Sequence, residues 1–259
     1  ENVMVVPGAR FGVFLAFSTL LNYGDEVIII EPAWPAYRQC AINSGVKVRS
    51  IKTTLESKWE PSLEQINSSI NNNTKMIVLN YPNNPTGKII SKDLMDSIFE
   101  IAKKNDLYIL SDEIYSNYSN EKWKSVLTYD YEKSIITQSF SKSHSMTGYR
   151  IGYAISSSKI IEKMAKLQAL CLTNVAEPIQ FLAMKSINDD VSNNTRIMNE
   201  RLTILSELAK SMELEFEIPD GAMYIFARTK SNINTSELAE KLLEHGLAIA
   251  PGNAFGEYK

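Results

Sequence analysis

The chain has 259 residues, of which 44% are hydrophobic and 22% charged, and its formal net charge is −3. This composition is typical of a globular protein with a sizeable core, and the interspersed charges argue against a nucleic-acid partner. The apolar runs are far shorter than the roughly 20 residues of a membrane-spanning helix, and no signal peptide is visible, so we expect no membrane partner and a cytoplasmic location. With two cysteines far apart and two histidines, no metal site is expected.

Apolar, β-branched runs alternate with helical patterns along the first 190 residues, which predicts βαβ units and a mostly parallel sheet. Seven strands are predicted, at residues 3–6, 26–30, 47–51, 76–79, 108–111, 134–139 and 150–155. Six helices are predicted among them, at residues 11–21, 34–44, 63–70, 91–105, 157–169 and 178–187. The expected fold class is therefore α/β, with a seven-stranded sheet sandwiched by helices.

The remaining residues have a different pattern. Residues 191–211 predict one long amphipathic helix, with apolar residues such as Leu202 and Leu205 among charges. Beyond it we predict strands at residues 215–218, 222–227 and 248–250 and a helix at residues 235–245. We therefore divide the chain into a large domain, residues 1–190, and a second unit, residues 191–259, made of a connecting helix and part of a small α/β domain.

The first predicted strand leads through Gly8 into a helical segment. Backbone N–H groups at Ala9 and Arg10 would face an anion there, because a helix N-terminus carries unpaired donors and the positive end of the helix dipole. Many strand–turn–helix units look alike, so this motif alone indicates only a place where a phosphate could bind.

Polar residues also follow two later strands. Asp112 comes directly after the buried run 107–111, and a carboxylate at the end of a parallel strand points into the crevice where such folds bind ligands. Aspartate is also common at such a place as a turn or cap residue. Asn84 lies in an Asn-Pro-Thr-Gly turn after the predicted strand at residues 76–79.

The most informative stretch is residues 139–152, in which Lys142 lies in a serine-rich turn and Arg150 follows eight residues later. Lysine forms imines with aldehydes, and burial or a neighbouring cation makes its amine reactive at neutral pH. Serine hydroxyls and a planar guanidinium suit a phosphate. Together these groups suit an aldehyde that carries a phosphate, which describes pyridoxal 5'-phosphate (PLP).

Two other interpretations fit the local sequence of Lys142. A lone lysine in a loop is most often simply solvated. Ser139 and Lys142 also have the Ser-x-x-Lys spacing of penicillin-binding enzymes. Those enzymes additionally need Ser-Asp-Asn and Lys-Thr-Gly tripeptides, and neither occurs in this sequence.

The stretch resembles the lysine signature of the class I/II PLP-dependent aminotransferases, the aspartate aminotransferase superfamily, which is Ser-x-Ser-Lys followed by Gly-x-Arg-aliphatic-Gly. The resemblance implies PLP fold type I and a Lys142 that holds PLP as an internal aldimine. On the phosphate side, the cofactor-binding residues that it implies are Gly8, Ala9, Arg10, Ser139, Ser141 and Arg150.

The same resemblance assigns residues to the cofactor ring. Asp112 matches the partner of the pyridine nitrogen, which keeps the ring cationic so that it acts as an electron sink. Tyr115 and Asn84 match the donors to the phenolate oxygen, and Trp34 matches the aromatic residue that stacks on the ring. Lys142, Asp112 and Tyr115 are therefore the expected catalytic residues.

Compared with that family, both ends of the chain look cut. The chain begins at Glu1 and its last arginine is Arg228, so the family's arginine for the substrate carboxylate is not among its residues. We therefore expect a fragment that lacks both termini of a complete enzyme and is itself inactive or very slow.

The expected function of the parent protein is transfer of an amino group between an amino acid and a 2-oxo acid, and the resemblance implies a homodimer. Two alternatives stay open, because the cofactor residues do not separate them from an aminotransferase. One is a PLP-dependent carbon–sulfur β-lyase with the same fold, and the other is a non-catalytic PLP-binding regulatory domain. The residues present do not identify the amino donor.

Overall fold

A computed structural model describes residues 1–119, 124–230 and 233–258. The strands are β1 Val3–Val6, β2 Glu26–Glu31, β3 Lys47–Lys52, β4 Thr74–Asn80, β5 Tyr108–Asp112, β6 Ser134–Ser139 and β7 Gly152–Ile155. The helices are α1 Ala9–Leu20, α2 Pro35–Asn43, α3 Leu63–Ser68, α4 Lys92–Lys104, α5 Phe140–Ser143, α6 Ser158–Leu172, α7 Glu177–Ser186, α8 Ser192–Ser211 and α9 Thr235–Glu244. None of the helices in these ranges combines the length and the apolar composition needed to cross a bilayer.

The seven strands form one sheet in the order β1-β7-β6-β5-β4-β2-β3, which confirms the seven predicted strands. Neighbours pair in parallel from β6 through β5, β4 and β2 to β3, whereas β7 runs antiparallel to both β6 and β1. Six strands therefore point the same way, and their carboxyl ends meet at one edge of the sheet. This edge is where open α/β sheets bind ligands.

Helices cover both faces of the sheet, because the inner strands are apolar on both sides. All six residues of β2 are buried. Val27 and Ile29 pack with α1, α2 and α6, whereas Ile28 and Ile30 pack with α3 and α4 on the opposite face. Alternation along one strand thus divides its side chains between two cores. The expected α/β sandwich is confirmed, and the ends of the predicted helices shift by three residues or fewer.

Residues 192–258, here called the tail, depart from the prediction. The helices α8 and α9 form as expected, but the strands predicted at residues 215–218, 222–227 and 248–250 are wrong. The described residues of these segments contribute one isolated β-bridge, between Glu215 and Arg228. A strand is stabilised by a ladder of hydrogen bonds to a neighbour along its length, and one bridge is not a ladder. The described residues of the tail therefore form no sheet of their own on which its apolar side chains could pack, and Leu243 of α9 is 62% exposed.

Candidate active site

Residues singled out in the sequence gather at the carboxyl edge of the sheet. Asp112 is the last residue of β5, Ser139 is the last residue of β6, and Lys142 lies in α5 directly after it. The turn that contains Asn84 follows β4, which pairs with β5. Since these strands are parallel neighbours, the sheet brings the segments that follow them to the same place.

Asp112 is buried, and its two carboxyl oxygens are held by different elements. Tyr37 of α2 donates to Oδ2 at 2.7 Å, and Thr137 of β6 donates to Oδ1 at 3.0 Å. Burial raises the pKa of the Asp112 carboxyl to about 6, although both of these hydrogen bonds and one from the Ile114 backbone act in the opposite direction. A fixed, buried carboxyl group of this kind is suited to pair with a cation that enters the site.

Lys142 lies on the short helix α5, between β6 and the loop that leads to β7. Its backbone carbonyl accepts a hydrogen bond from the Tyr118 hydroxyl at 2.6 Å. Its side-chain nitrogen lies 5.8 Å from the centre of the Tyr115 ring. Partial burial lowers the pKa of the Lys142 amine. A larger share of this amine is therefore unprotonated and nucleophilic at neutral pH than for a solvated lysine.

Tyr115 connects the lysine to the Asn84 turn. It is buried, and its hydroxyl lies 2.5 Å from the hydroxyl of Tyr224. Burial raises the pKa of Tyr115, with further contributions from Tyr224 and Asp112, whereas a hydrogen bond with the Asn84 side chain lowers it. The Tyr115 phenol therefore keeps its proton and is available as a hydrogen-bond donor.

The N-terminus of α1 faces the Arg150 side chain. Gly8 precedes the helix with a φ of 83°, and no side chain among the described residues caps the helix there. A Cβ atom on Gly8 would lie 2.5 Å from Nη2 of Arg150, so the guanidinium passes directly over this backbone. An anion at this point would meet the N–H groups of the first helical turn, which have no partner within the helix, and a guanidinium. This donor set fits a phosphate.

Ser139 adjoins the same point from the end of β6. It pairs with Gly152 across the β6–β7 ladder, and a Cβ atom on Gly152 would lie 3.0 Å from the backbone nitrogen of Ala9. The Ser139 hydroxyl donates to the Ser141 hydroxyl at 2.8 Å and accepts the Ser141 backbone N–H at 3.0 Å. The close packing of β7 on α1 thus brings the Ser139 end of β6 towards the helix N-terminus, and the Ser141 hydroxyl is hydrogen-bonded to Ser139.

Trp34 lies just before α2 and is contacted on two sides. The guanidinium carbon of Arg10 lies 5.0 Å from the centre of the Trp34 ring, a cation–π contact. Tyr37 packs edge-on against the same ring, with centroids 5.3 Å apart. The Arg10 side chain is therefore engaged with Trp34, and it is the Arg10 backbone that belongs to the anion site of α1.

The residues present fit PLP as a donor set. An amine of lowered pKa, a buried carboxyl group and a buried phenol lie on one side, and an uncapped helix end with a guanidinium and two serine hydroxyls lies on the other. Lys142, Ser139 and Ser141 share one short segment, so α5 joins the two sides. The structure therefore brings together the residues that the sequence singled out.

Four further residues support this site and were not found in the sequence. Tyr37 and Thr137 hold Asp112, Tyr118 holds the Lys142 backbone, and Tyr224 reaches Tyr115. Two of them had a usable signal. Tyr37 lies one helical turn beyond Trp34, and Thr137 is two residues before Ser139 and therefore on the same face of β6. Tyr224 comes from the tail, and no local pattern connects it to the site.

Comparison with known proteins agrees with this donor set. Residues 1–258 match the family described as Aminotransferase class I and II. The chain is 35% identical over 260 residues to an aspartate aminotransferase of Thermotoga maritima, covering 98% of this chain and 68% of that one. It is 35% identical to an asparagine–oxo-acid transaminase of Streptococcus mutans, covering 99% and 69%.

Solved structures show the same likeness. The crystal structure of the Thermotoga maritima aspartate aminotransferase superposes with a TM-score of 0.94 at 34% identity, covering 98% of this chain and 68% of that one. An aromatic aminotransferase of Pyrococcus horikoshii also superposes with a TM-score of 0.94, at 29% identity, covering 99% and 72%. The chain therefore belongs to the class I and II aminotransferase family and has its α/β fold. Its activity is accordingly that of a transaminase.

Proposed function

We propose that this protein transfers an amino group between an amino acid and a 2-oxo acid with PLP held covalently by Lys142. The observation that carries the proposal is the convergence of the Lys142 amine, the buried Asp112 carboxyl group and the Tyr115 phenol at one edge of the sheet. When bound, PLP supplies an aldehyde that combines with amines and a pyridinium ring that withdraws electrons from the bonds of the donor's α-carbon.

Asp112 stabilises the proton on the ring nitrogen. Its carboxyl group is already oriented by Tyr37 and Thr137, so it does not have to rearrange when a cation binds. A cation beside it also lowers the pKa of this carboxyl, because an opposite charge favours the ionised form.

Lys142 has two tasks in this proposal. It would anchor the cofactor, and as a free amine its Nζ would act as the general base and then the general acid for the proton of the donor's α-carbon. Both tasks need an unprotonated amine, which the partial burial of Lys142 favours. Tyr115, with its proton retained, donates to the phenolate oxygen, and the N-terminus of α1 with Arg150 binds the phosphate.

We further infer a cytoplasmic homodimer. The side chains of Phe181, Met184 and Leu170 are 59%, 69% and 86% exposed on α7 and at the end of α6. The opposite side of α7 packs through Ala183 against Phe140 of α5, the helix that bears Lys142. The exposed side chains of α7 therefore lie on the face that points away from α5. Exposed apolar side chains grouped in this way mark a protein partner, and we assign a second copy of the chain. Light scattering of the purified protein should give twice the chain mass; a monomer at micromolar concentration would contradict this.

The test of the proposed function is an absorbance spectrum after addition of PLP, recorded for the wild type, Lys142→Ala and Lys166→Ala. Lys166 is a matched control, since it is an exposed lysine paired with Glu162 on α6. We expect a near-ultraviolet or visible band that borohydride removes in the wild type and Lys166→Ala but that is absent in Lys142→Ala. Equal spectra for wild type and Lys142→Ala would reject Lys142 as the anchor.

Turnover by the parent protein then decides the chemistry. Aspartate, asparagine and phenylalanine, each with 2-oxoglutarate, should be tried first, because the relatives are named for these classes of donor. We expect the donor's keto acid to appear together with the amino form of the acceptor. Pyruvate and ammonia from cystathionine would instead indicate a β-lyase, and a band without any turnover would indicate a regulatory PLP-binding protein.

A further inference from the structure

Tyr224 enters the site from outside the sheet. It belongs to the tail, 109 residues beyond Tyr115, and the two hydroxyls lie 2.5 Å apart. The two rings meet edge-on, with centroids 5.5 Å apart. Tyr115 thus has a tail residue as the direct neighbour of the hydroxyl that, in the proposed function, faces the cofactor.

The segment that carries Tyr224 is docked on two loops of the site. The backbone N–H of Ala222 donates to the Tyr118 carbonyl at 2.6 Å, and that of Gly221 donates to the Gly87 carbonyl at 2.9 Å. Tyr118 lies in the turn that bears Tyr115, and Gly87 lies in the turn that bears Asn84. Residues 219–224, here called the docking segment, therefore connect two turns of the site. One turn bears Tyr115, and the other bears Asn84, whose side chain forms a hydrogen bond with the Tyr115 phenol.

This bridge is close enough to depend on glycine at both contacts. A Cβ atom on Gly221 would lie 2.5 Å from the carbonyl oxygen of Tyr118. A Cβ atom on Gly87, whose φ is 70°, would lie 2.5 Å from Cβ of Pro219. On the same side, Asp220 accepts the backbone N–H of Ile89 at 3.1 Å and its carboxylate lies 3.4 Å from the Lys88 ammonium. The docking segment is thus held by contacts at residues 219–222, directly before the part that carries Tyr224.

We propose that Tyr224 is a positioning residue. Without PLP the Tyr115 hydroxyl donates to Tyr224, which is why Tyr224 raises the pKa of Tyr115. When the phenolate oxygen of the cofactor instead accepts the hydrogen bond of Tyr115, Tyr224 donates its own hydroxyl proton to Tyr115 and keeps the Tyr115 proton directed at that oxygen. The proposal rests on the proposed function, because it takes Lys142 as the anchor and Tyr115 as the donor. A phenol has one proton to give. When its oxygen accepts hydrogen bonds from Tyr224 and from Asn84, that proton is left for a third partner, and successive hydrogen bonds strengthen one another.

The consequence concerns the acidity of the Lys142-bound chromophore. A stronger donor at the phenolate oxygen favours the deprotonated form of the chromophore, so its titration midpoint falls. The docking segment therefore couples the tail to the protonation state of the cofactor. Loss of the Tyr224 hydroxyl should raise the midpoint, and so should any change that releases the docking segment.

The test is a spectrophotometric pH titration of the PLP-bound protein in four forms. These are the wild type, Tyr224→Phe, Tyr115→Phe and the double variant. We expect Tyr224→Phe to raise the midpoint by about half to one pH unit, which is the worth of one net hydrogen bond, and Tyr115→Phe to raise it further. If Tyr224 acts through Tyr115, the double variant should titrate like Tyr115→Phe alone.

Tyr258→Phe is the control for general loosening of the tail, because Tyr258 is a tail tyrosine whose hydroxyl donates to the Thr53 carbonyl at 3.0 Å. It should leave the midpoint unchanged. An unchanged midpoint in Tyr224→Phe would overturn this inference. So would a shift in the double variant that equals the sum of the shifts in the two single variants. In either case a borohydride-sensitive band in the wild type would leave the proposed function intact. A wild-type protein without a borohydride-sensitive band would overturn both.

Discussion

The sheet region, residues 3–186, and the tail contribute to the site in different ways. The sheet region holds seven strands with a buried core on each face, and its site residues follow directly from strand ends. The tail holds α8 and α9, and no described residue of α9 is buried. It nevertheless brings Tyr224 to Tyr115. The comparison teaches that the sheet supplies the groups that follow its strand ends, whereas a region without a large core of its own can still bring one group to the site through a closely docked segment.

A few aromatic side chains attach the tail to the sheet region. Phe226 lies between Trp59 and Phe255, with ring centroids 5.4 Å and 5.8 Å away. The Phe255 carbonyl accepts the backbone N–H of Ala33 at 2.9 Å, close to Trp34. The two regions also share one small cluster, in which Ala222 packs with Tyr115 and Tyr118. Attachment through such local contacts, rather than through either of the two large cores of the sheet, predicts that the two regions respond differently to the same substitution.

The largest expected difference is between two leucines. Leu110 of β5 is fully buried, whereas Leu243 of α9 is 62% exposed. Leu110→Ala should lower the free energy of unfolding by about 3–4 kcal/mol, because it leaves a cavity in a packed core. Leu243→Ala should change it by less than about 0.5 kcal/mol. Urea unfolding of the two variants measures both values, and equal losses would show that the tail is packed as tightly as the sheet.

The second largest expected effect is a pH-dependent loss of stability in the absence of PLP, caused by the buried carboxyl group of Asp112. Burial raises the pKa of Asp112 from 3.8 to about 6. Between these values the folded protein holds a proton that the unfolded chain has lost, so the free energy of unfolding falls as pH rises through about 6. The total loss is about 3 kcal/mol, for roughly two pH units at 1.36 kcal/mol each.

Asp112→Asn removes this loss. The unfolding free energy of the variant minus that of the wild type should therefore increase as pH rises from 4 to 7. With PLP added the order should reverse, because the cofactor then lacks its carboxylate. Unfolding curves at several pH values, with and without PLP, check both statements. A difference between variant and wild type that does not vary with pH would contradict the burial argument.

The smallest expected effect compares a tyrosine of each region. Tyr37→Phe removes the hydrogen bond to Oδ2 of Asp112, which opposes the effect of burial, so the pKa of Asp112 should rise by about one further unit. Tyr224→Phe removes a contact to Tyr115 instead and should leave that pKa in place. The pH at which stability without PLP stops falling reports the difference, because the fall begins near the pKa of the unfolded chain and ends near the pKa of the folded protein. Equal shifts in the two variants would mean that the two regions do not act on separate ends of the site.

Much of the sheet region was predictable because its signals are local. Apolar runs located all seven strands, and the helix predicted from residue 11 begins two residues earlier, directly after Gly8. Asp112 and Asn84 were found because each directly follows a buried strand, and Lys142 because its neighbours form a recognisable signature. Their placement at one edge then follows from parallel pairing. Their catalytic and cofactor-binding roles stay predictions until the spectrum is measured.

The unpredicted parts depend on contacts between distant segments. Tyr37 meets Asp112 across 75 positions of the chain, and Tyr224 meets Tyr115 across 109. No spacing rule connects residues so far apart. The tail strands failed for a related reason: residues 222–227 have a strand-like composition, but composition does not provide the neighbouring strand on which a ladder forms.

The reversed direction of β7 has one more consequence. A parallel partner for β6 would have required a crossover that carries the chain back to the opposite end of the strands, usually through a helix on one face of the sheet. Because β7 returns antiparallel, residues 140–151 lead directly from one strand to the next and carry both Lys142 and Arg150. The proposed covalent anchor, Lys142, and the proposed phosphate ligand, Arg150, thus lie in one short continuous segment. Recombination or grafting at this point would transfer both anchors together or neither.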